Sequence, residues 1–416
     1  IQLNRPFGNL SSKADGFFFA SPILKWRERF EMTKKINKDT VITRAGLETD
    51  PQHGAVVPPL YLSSNFAFKQ FEKEQKYDYT RCGNPTRDIL AEALAELEEG
   101  FGGTITSSGL SAIGLVANLL NVNDHVILPH DCYGGTFRLF SMLHEKGYLT
   151  AHFVDQSSLK NLEESIKKIK PKLIWIETPS NPLLQSVDIK AISKLGKASK
   201  ALIAADNTFL SPALQNPLTL GADIVMHSTT KYINGHSDVV GGAVIAKTKK
   251  LHDQFQSWAN ATGVAGAPFD SYLTLRGLRT LNLRMKTHEK NAMGLAEVLS
   301  NNKKVGTVYY PGLESHPSHL IAQKQQKGFG GMLSFELKGG LPKVRKFFKR
   351  VEHFSLAESL GGFESLVCHP CTMTHAPLTA KEKKIAGISE GLIRISAGLE
   401  DLDDLIDGLK AGLRYV

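Results

Sequence analysis

With 416 residues and a formal charge of +9, the chain is long enough for more than one lobe. Its Lys and Arg residues are scattered without like-charge blocks, which favours anionic small molecules over nucleic acid as partners. Cys82, Cys132, Cys368 and Cys371 are too few and too unevenly spaced for a secreted disulfide framework, and no apolar run approaches the ~20 residues that span a bilayer; a cytoplasmic protein without membrane attachment is expected.

Residues 1–31 precede the first methionine, Met32. The apolar run in GFFFAS, Phe17 to Ala20, is too short for a signal peptide, and Asp15, Glu28 and Glu31 argue against a transit peptide. A dispensable or disordered leader is expected there. From 32 to 81, HGAVVPPLYLSSNF and the charged stretch ending at Arg81 are rich in Pro and Ser and poor in helical period, which predicts an extended arm that grips something.

Beyond Phe101, short β-rich runs alternate with helical segments: GGTIT, DHVILP, LTAHFV, KLIWIE, ALIAA, ADIVMH and VVGGAVIA. Alternation of this kind needs crossover helices, so an α/β lobe over 82–289 with a mostly parallel seven-stranded sheet is predicted. Helices are expected from Gly109 to Leu120 and in SLKNLEESIKKIK. After residue 289, GGMLSFEL and the amphipathic LEDLDDLIDGLKAGL predict a smaller α+β domain over 290–416.

Polar residues cluster just after successive strand runs: Ser107 to Gly109, Asp131 to Tyr133, Thr178 to Asn181, Asp206 to Thr208 and Ser228 to Lys231. Ligands of open α/β sheets bind outside the carboxyl ends of the strands, so these segments should converge. HSTTKYINGHSD then places Lys231 at the end of a buried strand. Burial lowers the pKa of an amine, and a neutral amine attacks carbonyls. Ser228 and Thr230 offer hydroxyls to a phosphate. Together they point to an aldehyde cofactor with a phosphate tail, pyridoxal 5'-phosphate (PLP).

Asp206 is the candidate carboxylate for the pyridine nitrogen of that cofactor. The amides of Gly109 and Leu110, opening a helix, suit its phosphate. Tyr133 can stack on its ring, Asn181 can donate to its phenolate oxygen, and Arg394 can clamp a substrate carboxylate. Singly, each residue has a plainer role: a solvent-reaching lysine, an N-cap or turn residue, a core tyrosine, a surface arginine. Their joint placement on the strand ends of one sheet carries the cofactor reading. CHPCTMTH holds a single CxxC, a weak metal signal, and His130 and His236 read as loop-orienting residues.

YDYTRCGNPTRDIL, SSGLSAIG, HDCYGGTFRLF, ETPSNPLL, DNTFLSPALQNPLTLGADIVMHSTTKYINGHSDVVGG, FDSYLTLRGLRTL, LAESLGGFESL and ISEGLIRISAGLED resemble, in order and spacing, the Cys/Met-metabolism family of PLP enzymes. The resemblance runs from about Asp39 to the C-terminus. It implies an aspartate-aminotransferase-like fold (fold type I) and a small-molecule amino-acid substrate. Lys231 would bond the cofactor and shuttle protons, Asp206 would pair with its ring nitrogen, and Tyr133 would stack on the ring. Ser228, Thr230 and the amides of Gly109 and Leu110 would hold the phosphate, while Tyr79 and Arg81, in YTR, would reach it from a neighbouring subunit. The family's usual homotetramer, a dimer of dimers with shared sites, is therefore expected.

The same resemblance gives Arg394 the substrate α-carboxylate, helped by Asn181 and Ser359, and gives Arg138 and Glu358 its distal end. HDCYGG, SPALQNPLTLGAD and QQKGFGGMLSFEL most resemble family members that carry out γ-replacement. Members specialised to cleave methionine carry cysteine where this chain has Gly135.

Overall fold

The structure, a computed structural model, describes residues 36–376 and 378–416, so the leader expected over 1–31 lies outside them. The predicted runs form β1 Gly102–Thr106, β2 His125–Pro129, β3 Thr150–Val154, β4 Leu173–Glu177, β5 Leu202–Asp206, β6 Ile224–His227 and β7 Gly242–Ala246. They lie in the order β1-β7-β6-β5-β4-β2-β3. The strands from β6 to β3 are parallel, and β7 runs antiparallel to both of its neighbours. Apolar clusters cover both faces of the sheet. That is why β4 and β7, buried at every position, read as near-continuous apolar runs without alternation.

Strand order reverses between β2 and β4. From β2 the chain moves outward to β3, whereas from β4 it moves the other way to β5 and β6. The segments after β2 and β4 therefore flank the crevice in which such sheets take ligands. Local signals start the helices that bound it. Ser108 Oγ accepts the Ser111 N–H at 3.0 Å and opens the helix Gly109–Ala117, and Asn84 caps Pro85–Leu97 with proline in the first turn.

A second sheet comprises β8 Val305–Tyr309, β9 Met332–Leu337, β10 Ser355–Leu356, β11 Leu366–Cys368 and β12 Leu392–Ser396, in the order β10-β11-β12-β9-β8. The helix Leu281–Ser300 joins the lobes: Leu281 and Met285 pack into the large core, and Leu295 and Leu299 into the small one. The domain boundary expected at 289 therefore falls inside one continuous helix.

The arm is not extended throughout. NKDTVIT forms a short helix, Lys38–Thr43, capped by Asn37 and anchored through buried Val41 and Ile42. From Gly54 to Arg81 the chain is largely irregular, with an isolated bridge between Asn65 and Tyr79. Leu62, Phe68 and Phe71 are exposed there, Phe71 by 87%. Among the described residues, no helix is long and apolar enough to cross a membrane.

Candidate active site

The carboxyl ends of β2, β4, β5 and β6, the start of the helix Gly109–Ala117 and segments of the small lobe enclose a cavity of ≈ 580 Å³. Every candidate named from the sequence lines it except Tyr79 and Arg81.

At one end, the helix Gly109–Ala117 presents the amides of its first residues, which have no partner within the helix. A Cβ on Gly109 would lie 2.8 Å from Ser228 Cβ, so only glycine lets the helix start approach Ser228 this closely. The Thr230 hydroxyl is engaged with Gly241, accepting its N–H at 2.9 Å and facing its carbonyl at 3.2 Å. To donate to a phosphate, that hydroxyl must turn away from the carbonyl. These donors are neutral, and the positive end of the helix dipole adds to them.

In the middle of the cavity, Lys231 Nζ donates to Ser359 Oγ at 2.7 Å. Burial, reinforced by the Arg394 charge and opposed by Glu358, lowers the Lys231 ammonium to about 8. Arg394 is 3% exposed; its Nη1 donates to Asn181 Oδ1 at 3.0 Å and its Nη2 to the Ser359 carbonyl at 2.8 Å. Asn181 and Ser359 thus brace the guanidinium, and Asn181 spends its side-chain oxygen on Arg394.

Two carboxylates form the floor. Asp206, at the end of β5, is raised by burial, against the pull of hydrogen bonds from Thr208 and the charge of His227. Glu177, its register partner at the end of β4, is pushed well above the usual carboxylate range by burial and by Asp206. Glu177 Oε2 accepts the Tyr133 N–H at 2.7 Å and so fixes the turn that carries the tyrosine. The sequence reading missed Glu177, although the rule that singled out Asp206, an acid ending a buried strand run, applies equally to it. Met373 and Thr374 of the small lobe also line the cavity, and no periodicity marked them. The Tyr133 ring folds over Gly135, where a Cβ would meet its Cε1 at 2.4 Å.

Tyr79 and Arg81 stand elsewhere. Arg81 Nη1 donates to the Asn260 carbonyl at 2.7 Å, and its guanidinium lies 5.5 Å from the Tyr79 ring centre. Among the described residues, no group of three or more His, Cys, Asp or Glu side chains is placed to hold a metal ion. Cys368 is buried beside Arg394, and His236 Nδ1 faces the Asn234 carbonyl at 2.7 Å, orienting its own loop.

These residues fit pyridoxal phosphate: a glycine-made cradle with hydroxyl and amide donors, a buried carboxylate, an aromatic face and a partly buried amine of lowered pKa. Comparison with known proteins agrees. The family profile "Cys/Met metabolism PLP-dependent enzyme" matches residues 39–414. Cystathionine gamma-synthase of Escherichia coli (strain K12) is 50% identical over 384 residues, covering 92% of this chain and 99% of the relative. A cystathionine beta-lyase of Coxiella burnetii is 46% identical over 382 residues, covering 91% and 98%. The crystal structure of cystathionine gamma synthase from Xanthomonas oryzae pv. oryzae, in complex with aminoacrylate and cysteine, superposes with a TM-score of 0.90 at 53% identity, covering 92% of this chain and 99% of that one. The chain belongs to the Cys/Met-metabolism family of PLP-dependent enzymes.

Proposed function

We propose that the enzyme is a cystathionine γ-synthase, replacing the γ-acyloxy group of O-succinyl- or O-acetyl-L-homoserine with the thiolate of L-cysteine. The reading is carried by the near full-length identity to the synthases of E. coli and X. oryzae. The cavity suits it, since Arg394 and Arg138 give it two carboxylate-binding groups, matching a substrate or product with a carboxylate at each end.

Lys231, Asp206, Ser228, Tyr133 and the amides of Gly109 and Leu110 would hold the cofactor, with Thr230 joining once its hydroxyl turns. When bound, pyridoxal phosphate supplies the electron sink that lets protons leave Cα and Cβ. Arg394, braced by Asn181 and Ser359, takes the substrate α-carboxylate and fixes Cα beside Lys231. Lys231 Nζ takes up the Cα proton, gives it up again to become neutral, and then takes up a Cβ proton. The γ C–O bond breaks with its electron pair leaving on the carboxylate, and the cysteine thiolate forms the Cγ–S bond. Lys231 returns the protons to Cβ and Cα, so acylhomoserine and cysteine become cystathionine and a carboxylic acid. Arg138 and Glu358 hold the distal carboxylate and ammonium.

Tyr79 and Arg81 of a second copy would add the missing cation at the phosphate end, in a homotetramer of dimers with shared sites. The free cysteines suit a reducing cytoplasm. The Coxiella relative favours a second reading, cleavage of cystathionine. One assay separates them. The enzyme receives either acylhomoserine plus cysteine, or cystathionine alone. Cystathionine formation outpacing breakdown is expected; rapid release of cysteine with 2-oxobutanoate, or of homocysteine with pyruvate, and little synthesis would replace the synthase reading with a γ- or β-lyase.

A further inference from the structure

Glu98 directly follows the helix Pro85–Leu97 and is completely buried. It lies behind the sheet: Val225 and Ala205 belong to the core on that face, whereas Met226 and Ala204 belong to the core on the cofactor side. By strand alternation, His227 and Asn207 point to the rear while Asp206 faces the cavity. The Glu98 carboxylate joins them. One oxygen lies 2.7 Å from His227 Nε2 and accepts from Asn207 Nδ2 at 2.8 Å, and the other accepts from Asn216 Nδ2 at 3.2 Å. Gln215 braces Asn207, donating to its Oδ1 at 3.0 Å and to the Thr178 carbonyl at 3.1 Å. The buried carboxylate ties the ends of β5 and β6 together, and Gln215 carries the network on to Thr178 at the end of β4.

Each tie is one residue from a group in the cavity: His227 precedes Ser228, and Asn207 follows Asp206. A buried polar network is a poor device for stability alone, because well-packed apolar residues commonly do as well. Its value lies in the geometry it imposes.

We propose that Glu98 is a positioning residue of the cofactor site, setting through His227 and Asn207 the placement of Ser228 for the phosphate and of Asp206 for the ring nitrogen. This rests on the reading of the cavity as the PLP site. It is tested with full-length Glu98→Gln and the double variant Glu98→Gln/His227→Gln. Three quantities are read: the PLP dissociation constant of the apoprotein, the absorbance maximum of bound PLP and the thermal midpoint of the apoprotein. Glu98→Gln should bind PLP about tenfold more weakly, in the range usual for partners of ligand-holding groups, with a shifted absorbance band. A purely structural role would lower the thermal midpoint and leave affinity and band unchanged, and that result overturns the proposal. If Glu98→Gln does not fold, the double variant, which exchanges the carboxylate–imidazole pair for an amide pair, decides: wild-type affinity and band overturn the proposal, and weak binding with a shifted band supports it. Failure of the wild-type protein to bind PLP would instead remove the reading of the cavity.

Discussion

Lys231 and Ser359 meet across the two lobes. The lysine Nζ donates to the serine hydroxyl at 2.7 Å, while the carbonyl of the same serine accepts from Arg394 Nη2 at 2.8 Å. One residue thus holds both the Lys231 amine and the Arg394 guanidinium, through different atoms. Ser359→Ala removes only the first function. It should lower kcat about tenfold and leave KM nearly unchanged, since Arg394 keeps both partners. Steady-state kinetics check this, and a raised KM at wild-type kcat would contradict it. Ser359 sits at φ +80, so Ser359→Gly should lose kcat equally but melt higher than Ser359→Ala.

Lys231 titrates near 8 because burial and Arg394 disfavour its charged form. The neutral amine is the nucleophile toward an aldehyde. PLP capture by the apoprotein should therefore accelerate about tenfold per pH unit below the midpoint and level off above it. Glu358→Gln removes the charge that holds the ammonium up, so the midpoint should move lower. Stopped-flow absorbance across pH gives both values. A midpoint near 10.5, the ordinary lysine value, would mean that the amine is solvated.

The strands were legible because fully buried parallel strands leave apolar runs such as LIWIE. The candidate site was legible because polar residues end those runs. Glu98 was not: in ELEEG it reads as a surface acid, and only the fold shows that His227 and Asn207, far along the chain, enclose it. The lobe boundary was illegible for a related reason, since Leu281–Ser300 keeps one helical period while its apolar face passes from one core to the other. The short helix Lys38–Thr43 was hidden by its length, although Asn37 and Asp39 carry ordinary start signals.

Asp206→Asn should separate stability from function. Burial raises the Asp206 carboxyl, so the folded state binds its proton more tightly than the unfolded chain, and stability is lost as pH rises from the unfolded value through the folded one and stays lost above it. Asparagine keeps the oxygen that accepts the Thr208 N–H at 2.9 Å and removes the buried charge. At neutral pH the apoprotein should melt no lower than wild type. Activity should fall at least about a hundredfold, because the ring nitrogen loses its anionic partner. Calorimetry and turnover on the same preparation check the pair of outcomes.

Gly109→Ala tests the cradle. The added methyl must displace Ser228, whose Cβ would stand 2.8 Å away. Overpacking of this kind costs about 1–3 kcal/mol. The loss should fall on phosphate binding, so the variant should need a higher PLP concentration for half-saturation while turning over normally once saturated. A fluorescence titration with PLP measures it.

The arm offers the sharpest test of a shared site. Tyr79 and Arg81 lie outside the cavity of their own chain, and the arm carries exposed Leu62, Phe68 and Phe71. If Arg81 serves a second copy, Arg81→Ala and Lys231→Ala damage complementary halves of one site. Each homomeric variant should be nearly inactive. After denaturation, mixing and refolding in equal amounts, about half of the dimers should contain one of each chain. Every mixed dimer then holds one intact site and one that is doubly damaged, so recovered activity should approach about a quarter of wild type. Refolding each variant alone must restore nothing. Absence of recovery in a mixture shown to contain mixed dimers would place the complete site within a single chain and leave the exposed arm without this role.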